Sequence, residues 1–175
     1  MKKILSLVLA LMMLVGGVLA LTSCDKTVKP NLDLEKAKTK LEEAEYDEVT
    51  LVDKKESLEP GVAKYLRAYK DGGEDTDDQY IYIVEYKDKK LAKLYYEETK
   101  AQLEYQIEAL KAEIEIMEMT LELYESEMDS KDIDELKDEI KDCKKELTDY
   151  EENYTIGIDG CFVWYGTIKA AEKTN

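Results

Sequence analysis

Three thiols, Cys24, Cys143 and Cys161, are the most reactive side chains in a chain of 175 residues that contains no histidine. A thiol can be acylated, oxidised or joined to a second thiol, whereas imidazole metal ligands and histidine-based hydrolase triads are excluded by composition. The chain has 41 acids, and paired carboxylates can perform acid–base chemistry, but no pair stands out from a solvated helix face. Asp71, Glu74, Asp75, Asp77 and Asp78 form an acidic loop with hard oxygen ligands of the kind calcium takes. The loop departs from the EF-hand order, because Tyr80 occupies the sixth place counted from Asp75, where glycine is required. It reads as a solvated loop. Gly72-Gly73 lacks the basic and hydroxyl companions of a phosphate loop, and no nucleophile motif surrounds a serine or threonine. No catalytic residue, metal ligand or cofactor is assigned, and a non-enzymatic protein is expected.

Cys24 has the most informative surroundings. Met1-Lys2-Lys3 precedes an apolar run from Ile4 to Leu21, broken by Gly16-Gly17, and Leu21-Thr22-Ser23-Cys24 follows. This anatomy is that of an export signal rather than a structural helix, and it resembles a bacterial lipoprotein signal with its lipobox. The resemblance implies that residues 1–23 are removed as a signal peptide and that Cys24 receives a diacylglyceryl group. The chain would then be held at the outer face of the bacterial cytoplasmic membrane, and Asp25 after the cysteine favours the inner membrane where there are two. Loss of Lys2 and Lys3 takes the formal charge from −16 to −18 and leaves 152 residues, enough for one domain. So acidic a protein is a poor ligand for nucleic acid, which is bound by Lys and Arg displacing counterions. Residues 24–31 form the lipidated cysteine and a short tether, in which Asp25 to Asn31 spans at most about 25 Å.

Residues 32–175 read as a single α+β domain. Leu34, Ala37, Leu41 and Ala44 recur at helical spacing over about 32–45. Val49 to Val52 reads as a strand, and Glu59-Pro60-Gly61 as a turn. Alternation assigns Val62 to Lys70 as a second strand, with a helical 59–69 in an elongated, mostly helical protein as the alternative. Gln79 to Tyr86 is a third strand, reached through Asp71-Gly72-Gly73.

From about residue 88 the period changes. Leu103, Ile107, Leu110, Ile114, Met117, Leu121, Tyr124 and Met128 step by four and three. After Asp129-Ser130, with Ser130 as the expected N-cap, Ile133, Leu136, Ile140, Cys143, Leu147, Tyr150 and Tyr154 repeat the rhythm. A turn at 128–131 sets Leu121 opposite Leu136, Met117 opposite Ile140, Ile114 opposite Cys143, Leu110 opposite Leu147 and Ile107 opposite Tyr150. The expectation is a small antiparallel sheet packed with helices and a long projecting antiparallel helical hairpin, about 88–128 and 131–152, inserted over about 103–154. Gly160 to Tyr165 is expected as the last strand, and Thr167 as the cap of a closing helix. Cys143 in the seam and Cys161 opening that strand are expected as two buried free thiols, since a disulfide needs Cα atoms within about 7 Å.

Two surfaces are candidates for binding. Tyr105, Ala109, Ala112, Ile116, Met119 and Leu123 form a second apolar stripe opposite the seam, which implies a protein partner, either a second copy or another envelope protein, unless residues 32–45 cover it. Tyr65, Tyr69, Tyr80, Tyr82 and Tyr86 would share one sheet face, which could receive a glycan or peptide or simply pack. The first reading makes the chain a membrane-anchored interaction module acting through its helical arm. The second makes it a ligand receptor.

Overall fold

The computed structural model describes residues 27–54, 58–73 and 77–175. The expected signal peptide, Cys24, Asp25 and the acids Glu74 and Asp75 lie outside them. Among the described residues the fold is α+β: a five-stranded antiparallel sheet and four α-helices, one of them far longer than the others. In chain order the elements are α1 (Leu34–Glu43), β1 (Glu48–Val52), β2 (Val62–Lys70), β3 (Gln79–Tyr86), α2 (Lys89–Tyr124), α3 (Ser130–Thr148), a π-turn (Asp149–Asn153), β4 (Tyr154–Asp159), β5 (Phe162–Thr167) and α4 (Ile168–Lys173). The sheet order is β1-β2-β3-β5-β4.

Alternation along the strands gives the sheet two apolar faces, each needing a cover. On one face Leu66, Ala68, Ile81, Ile83 and Trp164 pack with Leu34, Ala37 and Leu41 of α1 and with Ala170 and Ala171 of α4. On the other, Val62, Tyr86 and Val163 pack with Ala92 of α2, joined at the margin by Leu91, Tyr95 and Tyr96. A bulge between Val62 and Lys64 lets Val62 pair with Tyr86. That extra residue turns Val62 away from the face of Leu66 and onto that of Tyr86. The strand assignment for residues 62–70 therefore holds, and the helical alternative for 59–69 does not.

Three details differ from expectation. First, Tyr154 opens a strand, β4, rather than closing the coiled-coil seam, so there are two strands after the hairpin and not one. Asp159-Gly160 is a hairpin signal, which the seven-residue rhythm running through Tyr150 to Tyr154 masked. Gly160 takes φ +62°, and Cys161 sits in the turn rather than opening β5. Both remaining thiols are free and half-buried. Second, Asp129 and not Ser130 caps α3, its carboxylate accepting from Lys131 N at 3.0 Å and Asp132 N at 2.9 Å. Two amides converge on one charged oxygen, which a neutral hydroxyl one residue later would hold less strongly. Third, residues 28–31, expected in a tether, are bonded to the domain. Val28 N donates to Thr155 Oγ1 at 3.1 Å, Trp164 Nε1 donates to Val28 O at 3.1 Å, and Asn31 N donates to Thr174 Oγ1 at 2.8 Å. Residues 28–31 thus belong to the domain.

Gly157 is required where it stands. A Cβ there would collide with the Trp164 ring, whereas one at Gly160 would meet nothing within 4 Å and suffer only its positive φ. Gly157→Ala is expected to lower unfolding free energy by about 1–3 kcal/mol through overpacking, and Gly160→Ala by about 1 kcal/mol. Urea denaturation of both variants reads the difference, and equal small losses would mean that the Trp164 ring can move aside.

Candidate functional site

The arm is built by α2 and α3. Asp88 caps α2, accepting from Lys90 N and Leu91 N at 2.9 and 3.0 Å. The 36 residues of α2 run about 54 Å. Its first turns lie on the sheet and the rest pairs with α3. Leu103, Ile107, Ile114 and Ile140 are buried in the seam, and Leu110, Met117, Leu121, Leu136, Cys143 and Leu147 are half-buried. Three ion pairs cross beside it: Lys111 to Glu151 at 2.5 Å, Lys144 to Glu118 at 2.6 Å and Lys137 to Glu125 at 3.5 Å. Their members recur every seven residues, each directly after a seam residue, as the expected antiparallel register requires. Only the tip departs from it: Tyr124, expected in the seam, is exposed.

Helix α1 does not cover the second stripe, since it packs on the opposite face of the sheet through Leu34, Ala37 and Leu41. Tyr105, Met119 and Leu123 are 73%, 46% and 69% exposed, Ala109 and Ala112 are exposed, and Ile116 is half-buried. The structure adds Leu94, 61% exposed, which lies on the same helical face. The strip from Leu94 to Leu123 is therefore about 44 Å long. Glu97, Glu108, Glu115 and Glu122, all exposed, line one of its edges together with Glu104, which pairs with Lys100 at 3.8 Å.

Pairing of Tyr69 with Tyr80 and of Tyr65 with Val84 sets Tyr65, Tyr69, Tyr80, Tyr82 and Tyr86 on one sheet face, as expected. They do not form one flat platform. Tyr86 is buried and stacks on Tyr95 of α2, with centroids 4.8 Å apart, and Tyr82 stacks on Tyr165 at 5.0 Å. Tyr69, Tyr80 and Tyr82 border a shallow recess of about 250 Å³ with Arg67 and Glu48. Tyr80 also stands beside Tyr150 and Tyr154, at a cavity of about 420 Å³ between the foot of the arm and the sheet. Reading the sequence missed this cavity because it assigned Tyr150 and Tyr154 to the helical seam.

The remaining chemistry is subdued. Asp78 accepts from the Tyr69 hydroxyl at 2.8 Å and from Gly72 N at 3.0 Å, and Asp71 accepts from Gly73 N at 2.7 Å. These carboxylates shape the loop. Among the described residues no cluster of acids and thiols has metal-site geometry. Burial, and then the carboxylates of Glu113, Glu139 and Glu146, push the Cys143 thiol up, the reverse of an activated nucleophile. No described helix is long and apolar enough to cross a membrane. No family model matches the chain, and no curated protein or solved structure is significantly similar to it.

Burial pushes the Tyr46 and Tyr86 phenols up to about 12, and the hydrogen bond to Asp78, followed by burial, does the same for Tyr69. In the unfolded chain these phenols ionise near 10. Folding holds them protonated, so their contribution to stability is complete below about pH 10 and declines as pH rises toward 12. A phenolate-absorbance titration should show a group of tyrosines ionising well above pH 10 in the folded protein and joining the main transition in urea. A single transition near pH 10 in both states would contradict this environment.

Proposed function

We propose that the chain is a lipid-anchored, extracytoplasmic, non-enzymatic interaction module that docks a partner along the outer face of α2. The observation that carries this reading is the exposed strip from Leu94 to Leu123, on a helix whose opposite face is already satisfied by α3. Covering Ile116, Met119 and Leu123 would gain up to about 1.5–3 kcal/mol for each side chain. The glutamate edge narrows the occupant. A second copy would bring another strongly acidic surface to the strip, whereas an amphipathic helix with Lys or Arg beside its apolar face would pair with Glu97, Glu108, Glu115 and Glu122. The partner proposed is such a basic-flanked helix of another envelope protein.

The anchor belongs to the same proposal. With Val28 fixed against Thr155 and Trp164, a lipid on Cys24 would be joined to the domain by a leash of at most about 14 Å. Two acyl chains give stable attachment, since each buried CH2 contributes about 0.8 kcal/mol. A leash this short keeps the whole domain at the membrane surface, within reach of membrane-bound partners.

Two experiments test the reading. Cys24→Ser is expected to move the protein from the membrane fraction to the soluble extracytoplasmic fraction and abolish labelling by a fatty-acid analogue; unchanged membrane retention would refute the anchor. A photo-cross-linker at Met119 in a bacterium that expresses the chain is expected to capture another envelope protein, and Leu123→Asp should reduce that yield at least about tenfold. Adducts between two copies would refute the basic partner. Intrachain products alone would refute docking.

A further inference from the structure

The cavity at the foot of the arm has a composition that the docking strip does not explain. Tyr154 stands at its centre, with Tyr80 and Tyr150 on either side, each ring 6.1 Å from that of Tyr154 and tilted by 59° to it. The Tyr80 and Tyr154 hydroxyls are hydrogen-bonded to each other. The three rings make a cornered wall, open to approach from the cavity side. The π-turn supplies this arrangement. It carries Asp149, Tyr150 and Asn153 to the cavity just before β4 delivers Tyr154, and single π turns are frequent at functional sites.

Charge completes the picture. Asp77, Asp78, Glu146 and Asp149 line the cavity together with Lys145 and Lys169. Lys145 is already engaged by Asp77 at 2.9 Å. The hydrogen bonds that Asp78 and Asp149 accept come from neutral donors, namely the Tyr69 hydroxyl and Gly72 N for the one and Asn153 Nδ2 for the other. Lys145 also feels the Asp149 carboxylate, and the lining as a whole stays net acidic, with four carboxylates against two ammonium groups. The Glu146 carboxylate is close enough to raise the Tyr150 phenol, second to burial. Three aromatic rings beside a net excess of carboxylates attract a cation that also has apolar surface, through the ring quadrupoles and the net negative field. Among the described residues these carboxylates do not form a group with the geometry to hold a metal ion. At about 420 Å³ the space lies in the range of small-molecule sites.

We propose that this cavity binds a small organic cation bearing an alkylated ammonium group, with Tyr80, Tyr150 and Tyr154 receiving its alkyl surface and Glu146 and Asp149 its charge. This is separate from docking along α2, because the strip and the cavity use different residues.

The test is an amide NMR titration of the full-length chain in maltoside micelles with choline and with 3,3-dimethylbutan-1-ol, its uncharged carbon counterpart. Choline is expected to give saturable shifts confined to residues near Asp78, Tyr80 and 146–154, and the alcohol none. Tyr150→Ala and Asp149→Asn should each weaken choline at least about tenfold, with unchanged circular dichroism, while Tyr124→Ala at the arm tip should not. Glycerophosphocholine competing for the same shifts would assign the ammonium to a lipid headgroup. Its failure to compete would assign the site to free cations. Absent shifts, equal shifts with the alcohol, or full binding by both cavity variants would overturn the proposal.

Discussion

A continuous helix of 36 residues has to satisfy two different neighbours, and the rest of the architecture follows from how it does so. Near its start Ala92 closes the core over Val62, Tyr86 and Val163. Beyond about residue 100 the same rigid rod has left the sheet and would expose Leu103, Ile107 and Ile114 without a second helix. Helix α3 answers that need, and the turn between them must be tight enough to bring Ile140 back into the seam. The arm is thus a consequence of a helix that outgrows its sheet.

Polar and aromatic links tie the foot of the arm to the sheet. Lys145 reaches Asp77 on the loop before β3, and the π-turn passes directly into β4. Tyr80 and Tyr154 join the sheet to that junction. Surface ion pairs contribute little individually. The three that cross the hairpin matter more for register, because their seven-residue spacing penalises a slide of one helix along the other. The same junction that joins the arm to the sheet also borders the tyrosine-lined cavity.

The opposite side of the domain is closed by residues that precede the first helix. Val28 exchanges hydrogen bonds with Thr155 and accepts one from the Trp164 indole, and Thr174 receives Asn31 N near the C-terminal end. These links tie the chain's beginning to β4, β5 and α4. Any attachment made through Cys24 would therefore be made to the folded body itself, with little free chain between.

Much of this was legible in the residues alone. The period-two alternation of Gln79 to Tyr86 and the four-three spacing from Leu103 to Leu121 each reflect a local geometry that puts like side chains on one face, so strands, hairpin and register could be read directly. The apolar strip around Met119 was legible for the same reason. What the sequence could not disclose were matters decided between distant segments. Tyr154 fits a helical seam as well as a strand, and only the competition between extending α3 and pairing with β5 settles it as a strand. Val28 gives no local sign that Trp164 will donate to its carbonyl, and Tyr80 none that Tyr150 and Tyr154 will stand beside it. Local periodicity determines which faces exist, whereas their partners depend on packing across the whole chain, where a hydrogen bond or ring contact between residues far apart in sequence has no signature in either segment.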